Sequence, residues 1–80
     1  MEVELQELLE YLAKALVDNP EQVRVGVTET ETTVVLELHV AKDDVGKVIG
    51  KQGRIAKALR TIVKASAVKS GKRASVEIID

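Results

Sequence analysis

The stretch KVIGKQGRIA, residues 47–56, sets Gly50 and Gly53 three apart inside a segment that otherwise reads as helix. Gly costs about 1 kcal/mol relative to Ala in a helix interior, so two within one turn mark a break with a structural or functional reason. On its N-terminal side, Val45, Val48 and Ile49 are spaced as the buried face of one short helix, and Asp43 or Asp44 is placed to cap it. On its C-terminal side a longer helix is expected over residues 54–69, burying Ile55, Leu59, Ile62, Val63 and Ser66 and turning Lys57, Arg60 and Lys64 outward. Ser70 and Gly71 end it, Gly being the residue that most readily takes the left-handed cap conformation. The segment is thus helix, glycine loop, helix.

Upstream, Val3, Leu5, Leu8, Leu9, Leu12, Ala13 and Leu16 recur at spacings of three and four, which predicts an amphipathic helix over residues 2–17. Pro20 stops it, because Asn19 before it is pushed out of the helical region. Two alternating runs follow, Val23, Val25, Val27 and then Val34, Leu36, Leu38, Val40, and period two with β-branched residues predicts half-buried strands. The short TETETT segment, residues 28–33, joins them as a hairpin. Downstream, Ala74, Val76 and Ile78 alternate in a last strand. The order is α-β-β-α-α-β, and the two helices between the second and third strands allow those strands to lie parallel. The expectation is an α+β fold: a three-stranded mixed sheet with three helices packed on its one apolar face.

Eighty residues are one small domain, able to bury about 60–65% of the surface of its unfolded chain. Tyr11 is the sole aromatic residue, so a function that stacks bases on rings is poorly served. Cysteine is absent, which removes disulfides and thiolate metal sites. No apolar run approaches a membrane span and the acidic start is unlike a signal peptide, so a cytoplasmic protein with no membrane contact is expected. The net charge of −1 hides a segregation: residues 1–41 carry nine acids against two bases, residues 42–73 ten bases against two acids. Both loop glycines lie in the basic part, which gives that part an attraction for polyanions.

Three phosphate-binding patterns can be tested on the loop. A P-loop needs four residues before its Gly-Lys-Ser/Thr; only three separate Gly46 from Gly50, and Gln52 follows Lys51. A dinucleotide fingerprint needs Gly where Val48 stands, and needs a strand where a helix is expected. The third is Gly-x-x-Gly between two helices, with which KH domains clamp a nucleic-acid backbone. VIGKQGRI, residues 48–55, resembles the KH motif in its aliphatic pair before Gly50, its basic loop residue, and Ile55 two residues after Gly53. The N-terminal helix and strand resemble the bacterial, type II form of the fold. The likeness covers essentially the whole chain and implies a single KH domain over residues 1–80, similar to small stand-alone bacterial KH proteins.

The loop residues have physical roles of their own. Gly50 and Gly53 permit a sharp turn and close approach of phosphate to backbone, and the N–H groups opening the next helix favour an anion. Lys51 and Arg54 add charge, Gln52 donates hydrogen bonds, and Lys57 extends the phosphate track. Ile49 and Ile55, with Val48 beside them, are candidates to floor a groove that in KH domains takes about four nucleotides. The resemblance implies a non-catalytic RNA-binding protein, acting as an RNA chaperone or post-transcriptional regulator, that holds single-stranded RNA. It also implies self-association as a homodimer and pairing with a larger KH-domain protein.

Two other classes of function compete. For an enzyme, the one histidine, His39, lacks an obvious acidic partner and reads as a surface residue; no catalytic residue, metal site or cofactor is expected. For a dimerisation module in which RNA binding is incidental, Ala56, Ala58, Ala65 and Ala67 offer a close-packing helix surface.

Overall fold

The spacing of Leu5, Leu9 and Ala13 buries one face of α1 (Glu2–Leu16), with Leu8 and Leu12 half-buried on its flank. The computed structural model describes residues 2–69 and 71–79, the side chains of residues 2–4 excepted; the expectations for the Val3 side chain and for Ser70 lie outside them. After α1, Pro20 opens a single 3₁₀ turn, Pro20–Gln22, that leads the chain into β1 (Arg24–Glu29). The hairpin to β2 (Thr33–His39) closes with the Thr30 N–H on the Thr33 carbonyl at 2.8 Å and the Thr33 N–H on Thr30 Oγ1 at 3.1 Å. The chain continues through a 3₁₀ turn, Lys42–Asp44, into α2 (Val45–Ile49), the glycine loop, α3 (Arg54–Val68) and β3 (Arg73–Ile79).

The sheet order is β1-β2-β3, with β1 antiparallel and β3 parallel to the central β2. Register places Val25 and Val27 against Leu38 and Leu36, and Val34, Leu36 and Leu38 against Ala74, Val76 and Ile78, so one face of the sheet is apolar across all three strands. All three helices cover that face, as the period-two pattern predicts. Leu9, Val34, Leu36, Leu38, Val48 and Val63 are completely buried between the layers, each contributing about 1.5–3 kcal/mol by leaving water. Arg24, Glu37, His39, Arg73, Ser75 and Glu77 stand on the opposite, uncovered face.

At each edge of the sheet one carbonyl is covered by a side chain from the helix layer. In β1, the pairing of Thr30 with Thr33 turns the backbone groups of Val25 outward, and the Gln6 side chain of α1 donates to the Val25 carbonyl at 2.7 Å. In β3, the Arg73 N–H bonds the Thr32 carbonyl, so alternation turns Ala74, Val76 and Ile78 to the free edge; Arg60 Nε of α3 donates to the Val76 carbonyl at 3.2 Å. Each edge thereby loses one acceptor that a foreign strand would use.

Three expectations are corrected. The buried stripe of α3 is Ala56, Leu59, Val63 and Ala67, rotated by about 60° from the expected one at 100° per residue, while Ile62 is 41% exposed and Ile55 and Ser66 are half-buried. Small side chains, not the larger isoleucines, let α3 lie close on the sheet. Ala56 and Ala67 are consequently unavailable to a partner helix, and only Ala58 and Ala65 remain exposed. Finally, neither Asp43 nor Asp44 makes a side-chain cap to α2 or to the turn before it. Asp43 is exposed, and Asp44 turns inward to a long-range task.

Candidate nucleic-acid interface

The glycine loop owes its shape to backbone angles that side chains resist. Gly50 has φ 74° and ψ 177°, a region open essentially to glycine alone, and Gly53 has φ 74° and ψ 13° in the left-handed region. Between them Gln52 is also left-handed, at φ 57° and ψ 27°. The Gly50 N–H ends α2 by bonding the Gly46 carbonyl at 2.9 Å, and the Gly53 N–H closes the turn on the Gly50 carbonyl at 3.2 Å. A Cβ on Gly50 would stand 2.5 Å from Ile55 Cγ1, whereas one on Gly53 would meet nothing within 4 Å. Ile55 therefore packs directly on the Gly50 backbone and holds the loop against the first turn of α3.

The expected contact residues divide by position. Lys51, Gln52, Arg54 and Lys57 are exposed, gathered at the loop tip and the first turns of α3, where the N–H groups of a fifteen-residue helix present positive potential. Ile49 is 38% exposed and Ile55 half-buried, leaving apolar surface beside those charges. Val48 is fully buried and belongs to the core, so it does not floor a groove. On the α1 side of the loop lies a shallow hollow lined by Leu16, Gly46, Lys47, Gly50, Lys51 and Ile55. Leu16 and Lys47 were not among the expected site residues; the signal available for Lys47 was its place on α2, one turn before the loop.

Asp44 fixes the start of α2 relative to α1. Its buried carboxylate accepts the backbone N–H of Asp18 at 3.2 Å, the backbone N–H of Asn19 at 3.0 Å and the Asn19 side-chain amide at 3.0 Å. Lys47 stands 3.6 Å from it and also pairs with Asp18. Burial pushes the Asp44 carboxyl up, but the Asn19 amide, the two backbone donors and the Lys47 charge together outweigh it and hold the group below its ordinary 3.8. For Lys47, the hydrogen bond to the Asp18 carboxylate is the main cause that raises it above its ordinary 10.5.

A lowered carboxyl contributes stability that is present above 3.8 and is lost as pH falls through the folded-state value. Thermal melts between pH 2 and 7 should show that acid limb. Asp44→Asn turns an amide donor toward those backbone donors and removes the titration, so the stability gap between wild type and variant should narrow as pH falls. An unchanged gap would assign the acid limb to other carboxylates.

A helix-bounded Gly-x-x-Gly turn, on three helices that cover one face of a β1-β2-β3 mixed sheet, is the arrangement of a type II KH domain. The family model described as "KhpA/KhpB, KH domain" matches residues 6–78. The chain belongs to the KhpA/KhpB KH-domain family. The RNA-binding protein KhpA of Clostridium acetobutylicum is 59% identical over 75 residues, covering 94% of this chain and 100% of the relative. The RNA-binding protein KhpA of Caldanaerobacter subterraneus subsp. tengcongensis is 58% identical over 73 residues, covering 91% and 97%. That of Aquifex aeolicus is 55% identical over 76 residues, covering 95% and 96%.

Solved structures share the fold at low identity. A variant of Aquifex aeolicus Era bound to GDP·AlF4− superposes with a TM-score of 0.69 at 17% identity, over 92% of this chain and 29% of that one. Era in complex with MgGDPNP and nucleotides 1506–1542 of 16S ribosomal RNA gives 0.70 at 17% identity, over 92% and 28%. The KhpA/KhpB domain thus spans less than a third of those chains, and the likeness is one of fold. Among the described residues of this KH domain, no group of three His, Cys, Asp or Glu residues is arranged to hold a metal ion, and no helix is long and apolar enough to cross a membrane. His39 is exposed on the open face of the sheet.

Proposed function

We propose that this chain is a non-catalytic RNA-binding protein that holds short single-stranded RNA on the loop Gly50-Lys51-Gln52-Gly53. The observation that carries this reading is the loop geometry: two positive-φ glycines leave bare backbone beside the N-terminus of α3, with Lys51, Gln52 and Arg54 exposed around it. Phosphates meet Lys51, Arg54, Lys57 and the helix N–H groups, and Gln52 donates to phosphate or sugar oxygens. These contacts position the strand without reading its sequence. Ile49 and Ile55 give the bases an apolar floor, consistent with the near absence of aromatic rings.

The names of the KhpA relatives support RNA as the partner; the role we propose is that of an RNA chaperone or post-transcriptional regulator working in the cytoplasm. A homodimer, or a heterodimer with a larger KH-domain protein, would present two loops to one RNA and raise avidity. Exposed Ala58, Ile62 and Ala65 on α3 support a helix face for such pairing.

Salt titration tests the reading. If Lys51, Arg54 and Lys57 each neutralise one phosphate, log K for a single-stranded RNA falls with log salt at a slope of about −2. Affinity then drops about 20-fold between 50 and 200 mM salt. A slope near zero would remove phosphate contact from the mechanism.

A further inference from the structure

Lys47 differs from the other bases around the loop in carrying its own counter-ion. Among the described residues, Lys51, Arg54 and Lys57 have no ion-pair partner. Lys47, one turn before Gly50, pairs with the Asp18 carboxylate across 29 residues of chain and stands 3.6 Å from the buried Asp44. It nevertheless lines the same hollow as Lys51 and Gly50. Its ammonium is therefore within reach of two kinds of anion: the carboxylate at the end of α1, and a phosphate drawn to the loop.

The pair with Asp18 is a poor structural tie. The Asp44 carboxylate already joins α1 to α2 by accepting the N–H groups of Asp18 and Asn19 and the Asn19 amide. The Asp18 side chain is 75% exposed and that of Lys47 44%, and a pair so exposed adds little stability because water competes for both charges. Releasing it is correspondingly cheap. Asp18 keeps its solvation, and Lys47 keeps the Asp44 charge beside it, at a distance too long for a hydrogen bond. A lysine that swings on a flexible stem then binds phosphate as a point charge.

We propose that Asp18 is an intramolecular competitor of RNA phosphate for Lys47: the carboxylate holds the ammonium in the free chain, and a phosphate of the bound strand takes it over. The inference rests on the RNA-binding reading and adds to it a built-in brake. Because the charges of Lys47 and Asp18 cancel, this contact adds little net neutralisation in the wild type. Removing the Asp18 charge converts Lys47 into a further full phosphate contact.

The experiment is a fluorescence-anisotropy titration of the full chain with a labelled ten-nucleotide oligouridylate between 50 and 200 mM salt. Asp18→Asn should bind about three- to fivefold tighter at 50 mM, the size of one exposed ion pair. Its log K against log salt should be steeper than wild type by about 0.7, so the gain shrinks about 2.5-fold by 200 mM. Asp43→Asn removes the same charge from an exposed position just before α2 and should change affinity less than 1.5-fold. Lys47→Gln should reduce the gain from Asp18→Asn to less than 1.5-fold, whereas Lys47→Arg, which keeps the charge, should preserve it. Asp18 and Asp43 have exposed side chains, so their variants keep the fold and decide the point by themselves, with circular dichroism as the check. An Asp18→Asn protein with wild-type affinity and slope overturns the proposal. So does a gain that Asp43→Asn matches or that persists in full with Lys47→Gln, either of which makes it a general field effect and leaves the loop reading intact. Wild type that binds no RNA overturns the loop reading, and the competition with it.

Discussion

Replacing Lys51 and Gln52 together by Asp should lower affinity for single-stranded RNA on the order of 100-fold while the fold is retained. The exchange removes one positive charge and adds two negative ones beside the phosphates. A unit charge pair at 4 Å is worth about 1 kcal/mol in bulk water, and about 4 kcal/mol at an effective dielectric constant of 20. Three units of charge at the water-like end amount to about 3 kcal/mol, or roughly 100-fold in Kd. Both side chains are exposed, so no core contact is lost. Position 52 has a positive φ, but Asp is among the few residues that visit that region readily. Anisotropy titration with circular dichroism and a thermal melt checks the result. Unchanged affinity with an intact fold would take the loop out of the binding surface, and unfolding would make its role structural.

Gly50→Ala should have the larger effect on stability, about 2–6 kcal/mol, because two independent costs fall on one methyl group. The backbone at φ 74° and ψ 177° costs a non-glycine residue about 1–3 kcal/mol. The new Cβ would also press on Ile55, with Cγ1 at 2.5 Å and Cβ at 2.8 Å, and relieving such overpacking costs about 1–3 kcal/mol more. Ile55 has little freedom to retreat, since it is β-branched and sits in the first turn of α3. A chain of 80 residues is expected to have about 4–12 kcal/mol in all, so the variant should melt more than 10 °C lower. Gly53→Ala meets open space and carries only the left-handed penalty, about 1–2 kcal/mol. Melts of the two variants side by side decide the point: equal losses would show that the Ile55 contact contributes nothing.

These two glycines also show how far a local pattern reaches. Their spacing within a helical segment, and the charges around them, already identify a turn built to bring backbone close to an anion. The second cost at Gly50 is not visible there, because it depends on where α3 sets Ile55 once the turn has closed. Asp44 makes the same point more sharply. An aspartate just before a short helix is the local signature of a cap, yet its carboxylate serves donors on Asp18 and Asn19, 26 and 25 residues earlier in the chain. Nothing in the neighbourhood of Asp44 in the sequence distinguishes the two uses.

Elements, their order and the segregation of charge were determined by the sequence itself, since periodicity, glycine and proline placement and residue charge act within a few residues of chain. Only the tertiary structure decided which face of α3 is buried, which alanines are left exposed, and how Gln6 and Arg60 each cover one carbonyl at an edge of the sheet. Those outcomes come from packing α3 on β3 and α1 on β1, where residues far apart in the chain compete for the same space and the closest fit sets the rotation of each helix.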